Sequence, residues 1–118
     1  EPLLQLDEKL INKFHKIGFE VGIETNGSIK PPAGIDWICV SPKANADFIL
    51  KTGDELKLVF PQNKINPKQY EKLNFDHFFI QPMDGINQKQ NIEKSKEFIM
   101  KNPLWSLSLQ THKIMGIP

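Results

Sequence analysis

Trp37-Ile38-Cys39-Val40-Ser41-Pro42-Lys43 is the stretch that decides the fold. Its first four residues are all apolar, without the alternation of a half-exposed strand, as expected for a short strand covered on both faces. The run then turns polar at once. Pro42 fixes the backbone and holds Ser41 extended before it. A hydroxyl and an ammonium group are thereby aimed together from the end of a strand. In parallel α/β sheets and barrels, ligands sit at the C-terminal ends of strands. A strand terminus followed by a surface lysine is the equally open plain reading of Ser41 and Lys43.

Working outward, the same design recurs on both sides. Upstream, Phe19 to Thr25 reads as a strand that runs into Glu24-Thr25-Asn26-Gly27, with Asn26-Gly27 as a turn signal. Before it, Leu3, Leu6, Leu10, Phe14 and Ile17 recur at helical spacing with lysines between them, predicting an amphipathic helix ended by Gly18. Downstream, Ala44 to Leu50 reads as a short helix and Glu55 to Phe60 as a third strand, interrupted by Lys57. Pro67 to Leu73 reads as a short helix with proline in its first turn. His77 to Gln81 is a fourth strand, leaving through Gln81-Pro82-Met83-Asp84-Gly85. Gln90 to Lys101 is the last helix, with Ile92, Ser95 and Ile99 on one face and Asn102-Pro103 as its stop. Leu107 and Leu109 alternate with serines as a fifth strand, and Thr111 to Pro118 form a tail. Strands starting near positions 19, 37, 55 and 77 leave room for crossovers, so parallel pairing is expected.

The polar ends supply the candidate site. Glu24 is a pure acceptor when ionised and suits the N–H edge of a flat heterocycle, with Asn26 holding another part of it. Ser41 and Lys43 suit a ribose hydroxyl and a carboxylate. Gln81 can read an adenine edge, Asp84 can accept from a hydroxyl or amine, and Met83 either packs on a base or fills core. His112, in Gln110-Thr111-His112-Lys113, is the histidine best placed for a ligand; His15 reads as a helix-surface residue and His77 as a strand-start residue. The bland alternatives are a solvated Asn-Gly turn, surface lysines and core methionine.

Composition excludes several classes. Lysine and arginine number 15 against 14 acidic residues, so the net charge of +1 gives no footprint for nucleic acid. No apolar run approaches the roughly 20 residues of a membrane span. Cys39 is the single cysteine, which excludes an internal disulfide and a thiolate metal or cluster site made by this chain alone. A cytoplasmic setting fits that usage. No histidine pair has metal-ligand spacing, and neither a phosphate-binding glycine loop nor a nucleophile elbow is present.

Together these motifs resemble one family, the 7-carboxy-7-deazaguanine synthases, which are radical S-adenosylmethionine enzymes. The segments that carry the resemblance are Glu1-Pro2-Leu3-Leu4-Gln5, Glu24 to Gly27, Asp36 to Lys43, Gln81 to Gly85, and Leu109 to Lys113 with Gly116-Ile117-Pro118. The resemblance implies that the fold is the C-terminal part of a modified, incomplete (β/α) barrel of parallel strands, one partial domain over residues 1–118 truncated on its N-terminal side. It implies a lyase that contracts the ring of 6-carboxy-5,6,7,8-tetrahydropterin to 7-carboxy-7-deazaguanine with loss of ammonia, in queuosine and 7-deazapurine biosynthesis. The implied cofactors are S-adenosyl-L-methionine, a [4Fe–4S] cluster and Mg²⁺, with the protein ligands of cluster and magnesium outside this chain.

By the same resemblance, Glu1, Ser41, Pro42, Lys43, Gln81, Pro82, Met83 and Asp84 fall on cofactor-binding positions. Glu24, Asn26, His112 and Pro118 fall on the substrate side, with no catalytic or metal-ligating residue in the chain. Partners implied are the pterin substrate, an external electron donor such as flavodoxin, and a second subunit in a homodimer, without nucleic acid or membrane. Such a piece alone is expected to be inactive. A different radical reaction on the same scaffold, or a non-catalytic remnant that binds pterin or S-adenosylmethionine, are the alternative readings.

Overall fold

The computed structural model describes residues 1–108; residues 109–118, which carry Leu109, His112 and Pro118, lie outside the described residues. Five strands form one sheet: β1 (Gly22–Thr25), β2 (Trp37–Val40), β3 (Thr52–Phe60), β4 (Asn74–Pro82) and β5 (Trp105–Leu107). Their spatial order is their chain order, and every neighbouring pair is parallel. The expected parallel α/β arrangement is therefore present, as a single sheet. Two α-helices accompany it, α1 (Glu8–Lys16) and α2 (Gln88–Lys101), with 3-10 turns at Pro2–Leu4 and Pro67–Tyr70.

One face of the sheet carries the core. Val40, Leu56, Leu58, Phe78, Ile80 and Trp105 are all buried there. Phe48 and Leu50 from the β2–β3 connection, Ile65, Tyr70 and Leu73 from the β3–β4 connection, and Phe98 and Ile99 from α2 belong to the same cluster. Three successive connections thus cover one face. The residues between them in the pleat point to the other face, because successive side chains of a strand alternate. Glu24, Cys39, Glu55 and His77 stand in register on β1 to β4, and Lys57, Phe79 and Ser106 form the next row on β3 to β5.

Local chemistry accounts for most element ends. Asp7 caps α1, its carboxylate accepting the Leu10 N–H at 2.8 Å. Gly18, at φ +88°, ends the helix as predicted. The first helix is nonetheless shorter than expected. Glu1 accepts the Leu3 N–H and holds Pro2–Leu4 as a separate 3-10 turn. The buried stripe also differs: Ile11 is fully enclosed, whereas Leu10, Phe14 and Ile17 are exposed.

The predicted helix at Ala44 to Leu50 does not form. The N–H groups of Ile49 and Leu50 instead donate to the Gly27 carbonyl at 2.9 and 3.0 Å. Phe48 lies over Gly27, where a Cβ would come within 3.0 Å of its ring. Docking on the β1 turn outweighs local helix propensity. The last strand starts earlier than expected, at Trp105, whose indole is the largest fully buried side chain. Among the described residues no helix is long and apolar enough to cross a membrane.

Candidate functional site

The C-terminal ends of β1 and β2 open into a cleft of about 340 Å³ lined by Glu1, Pro2, Glu24, Thr25, Asn26, Ser41 and Lys43. Five residues singled out from sequence, Glu1, Glu24, Asn26, Ser41 and Lys43, are thereby brought together. The backbone explains why. The Ser41 N–H donates to the Thr25 carbonyl at 2.7 Å, extending the β1–β2 ladder by one residue and setting both exits side by side. Pro42 is fully buried behind that exit, and Lys43 is exposed.

Glu1 is tied into the wall of the cleft. Its carboxylate accepts the Thr25 hydroxyl at 2.8 and 2.9 Å, the Asn26 N–H at 3.0 Å and the Leu3 N–H at 3.0 Å. Partial burial alone would raise this carboxyl. The donors from Asn26, Leu3 and Thr25 outweigh it and hold the group below its ordinary value of 4.5. The side chain thus clamps residues 1–4 onto the end of β1. Asn26 makes an Asx turn, its Oδ1 accepting the Ser28 N–H at 2.9 Å and the Ser28 hydroxyl at 2.6 Å. Gly27, at φ +81°, packs against Val40 and Phe48 and keeps the turn close to the sheet.

Glu24 is held by a residue that sequence reading passed over as an interruption. Lys57, on β3, reaches across β2 and places Nζ 2.9 Å from both Glu24 carboxylate oxygens. Below this pair lies Cys39. Burial, then the neighbouring Glu55 and Glu24 carboxylates, push its thiol up to about 12, against the opposing charge of Lys57. Trp37 stacks on His77 with centroids 5.8 Å apart and donates from Nε1 to Glu55 at 3.3 Å.

Ser41 and Gln81 are, besides Thr25, buried polar side chains at the strand ends, 3% and 8% exposed. Neither side chain has a hydrogen-bond partner among the described residues, and no fully enclosed polar atom lacks one, so their polar tips open to solvent. Met83 joins Ala44, Asn45, Pro61, Gln62, Asn63 and Lys64 around a second open cleft on the far side of the β2 exit. Pro82 is buried within β4, and Asp84 accepts its neighbour Gly85's N–H at 2.9 Å. Asn91, which sequence reading missed, is buried on α2 and donates to the Met83 carbonyl at 3.0 Å, fixing the end of β4. An amide inside the apolar face of a helix was the available signal. Among the described residues no group of three histidine, cysteine or acidic side chains is disposed to hold a metal ion.

Fold and cleft define a parallel-sheet α/β protein whose polar groups gather at the C-terminal strand ends. A scan against protein-family profiles finds no match. Comparison with curated proteins does: the chain is 53% identical over all of its 118 residues to the 7-carboxy-7-deazaguanine synthase of Bordetella pertussis. It is 49% identical to the synthase of Caulobacter vibrioides, also over its full length, and 39% identical over 117 residues to that of Bacteroides thetaiotaomicron. It covers 56% of the first two proteins and 61% of the third, so it spans a little over half the length of these relatives. Over essentially its whole length the chain is thus similar to a little over half of each of these 7-carboxy-7-deazaguanine synthases.

Proposed function

We propose that the chain forms the ligand-holding side of a 7-carboxy-7-deazaguanine synthase, a radical S-adenosylmethionine lyase that contracts the ring of 6-carboxy-5,6,7,8-tetrahydropterin with loss of ammonia. The observation that carries this reading is the match at 47–53% identity over 99–100% of this chain and 56% of each synthase. The strand order supports an incomplete barrel. Parallel strands wound in one direction by right-handed crossovers place every crossover on one face. The opposite, polar face is then the inside of a barrel that further strands continue.

The donor set suits S-adenosylmethionine. In the cleft, Lys43 offers an exposed cation for its carboxylate and Ser41 a hydroxyl for the ribose, while Gln81, which does not line that cleft, offers an amide for the adenine from the end of β4. When bound, that cofactor with its iron–sulfur cluster supplies the radical chemistry, and the protein supplies binding and orientation. Glu24 accepts from the N–H edge of the pterin, and Asn26 borders the same cleft. His112 and Pro118 complete the substrate side, with flavodoxin as electron donor and a homodimer as the assembly. The described residues do not fit the cluster or its Mg²⁺. Cys39 sits in mid-strand, buried, between two carboxylates that oppose its thiolate.

Anaerobic turnover of the full-length protein, reconstituted with its cluster, tests the proposal. Formation of 7-carboxy-7-deazaguanine and ammonia is expected. An intact cluster that gives no deazaguanine product would overturn the assignment and favour another substrate on the same scaffold.

A further inference from the structure

We propose that Lys57 is a positioning residue of the strand-end site: it locks the Glu24 carboxylate so that the site selects a ligand edge rich in N–H donors. The inference deepens the proposed function and rests on it for the ligand class.

The ion pair is asymmetric. Lys57 is the hidden partner, with its side chain 15% exposed, and Glu24 is the open one, 54% exposed. A surface pair with both heads in water would add little. Here the Lys57 side chain lies largely covered on the polar face and ends on Glu24, whereas Glu24 would be well hydrated without it. The pairing therefore constrains Glu24 more than it serves it. Nζ stands 2.9 Å from each carboxylate oxygen, so both oxygens are fixed from the β3 side. A carboxylate has about four acceptor positions. Two face Lys57, and the rest are left for the cleft that Glu24 lines with Asn26, Ser41 and Lys43. An oriented pair of acceptors matches two adjacent N–H donors, as on the amino-amide edge of a pterin.

The surroundings fit this role. Among the described residues, the charged and titratable groups around the pair are Cys39 on β2, Glu55 on β3, His77 on β4, Lys43 beyond β2 and Glu1 on the cleft wall. Glu55 turns to the Trp37 indole, and Cys39 lies between Glu24 and Glu55. Lys57 is the basic group in hydrogen-bond contact with Glu24 among the described residues.

The test compares two pteridine-6-carboxylates in the full-length protein by calorimetry: 6-carboxypterin, and the 2-oxo analogue without the exocyclic amine. Wild type should prefer the amine-bearing probe by about tenfold, the scale of one hydrogen bond to a charged acceptor. Lys57→Met should abolish the preference, Lys57→Arg should restore most of it, and Lys57→Met on top of Glu24→Gln should change it no further. Lys57→Gln, which keeps a polar head on the buried stem, replaces Lys57→Met if that variant does not fold. A merely structural lysine would weaken both probes equally. An unchanged preference in a folded variant would overturn the role of Lys57 alone. A wild-type protein that binds neither probe would overturn the pterin reading and this inference with it.

Discussion

Replacing Thr25 by valine tests the clamp that shapes the cleft. The swap is nearly isosteric and removes one hydroxyl from a residue that is 2% exposed. Thr25 donates to the Glu1 carboxylate at 2.8 and 2.9 Å and accepts the Gly27 N–H at 3.2 Å. A hydrogen bond to a charged group contributes about 1.5–3 kcal/mol, and a buried N–H left without its acceptor costs about 1 kcal/mol or more. Against that loss, Glu1 keeps the N–H groups of Asn26 and Leu3 and can take up water in place of the hydroxyl. The net cost should be about 1–2 kcal/mol, read as a lower urea midpoint at unchanged slope.

The sign with pH is fixed by the direction of the Glu1 shift. Its carboxyl lies below 4.5 in the folded chain, despite partial burial, because the donors from Asn26, Leu3 and Thr25 favour the anion. The stabilisation is present above the unfolded value and is lost as pH falls through the lower folded value. The Thr25→Val penalty should accordingly be full near about pH 7 and smaller near about pH 3, while all other carboxylates titrate in both proteins and cancel in the difference. An equal penalty at both pH values would show that the hydroxyl does not act through the charged carboxylate.

Two further outcomes follow from the packing and the polar face. Trp105→Ala should cost about 3–5 kcal/mol in chemical unfolding, because the indole packs edge-on against Phe78 and Phe98 and donates to Glu71 at 3.0 Å. A loss under about 1 kcal/mol would refute that role of β5. Cys39, its thiol pushed to about 12 by burial and then by Glu55 and Glu24, should react with a disulfide reagent only on unfolding, since raising pH toward about 8 still leaves it protonated. Rapid labelling of the folded protein would contradict it.

What was legible in the sequence was what local chemistry fixes. The apolar runs Trp37–Val40 and Phe78–Ile80 fall inside strands, the spacing between them anticipates parallel pairing, and the polar exits after Thr25 and Val40 meet in one cleft. Gly18 and Gly27 stand at positive φ where a helix stop and a turn were expected. What was not legible depends on partners distant in sequence. Ala44 to Leu50 is pulled from helix by the Gly27 carbonyl, and Ile11 takes the buried place because α1 docks where its Cγ2 would meet a Cβ at Gly34 at 3.2 Å. Lys57 read as a flaw in a strand because its counter-charge comes from a strand 33 residues earlier. Residues 109–118 lie outside the described structure, so the substrate-side placement of His112 and Pro118 stands on the resemblance.

The connections leave one face of the sheet open. A parallel strand covered on both sides should be apolar on both. Trp37 is instead 43% exposed, and β3 and β4 carry Glu55, Lys57, His77 and Gln81 on that side. An ordinary water face would explain the charges, but not why the Lys57 side chain is largely covered or why Ser41 and Gln81 are nine-tenths buried with no partner for their polar tips among the described residues. Buried polar groups are normally completed by protein, water or ligand, and leaving them incomplete costs about 1–3 kcal/mol each. Ser41 and Gln81, at the exits of β2 and β4, have tips that, among the described residues, meet only solvent, and apolar residues of similar size would pack there as well. A ligand that completes their hydrogen bonds gives the arrangement a physical reason, and the same groups then determine which ligand it is.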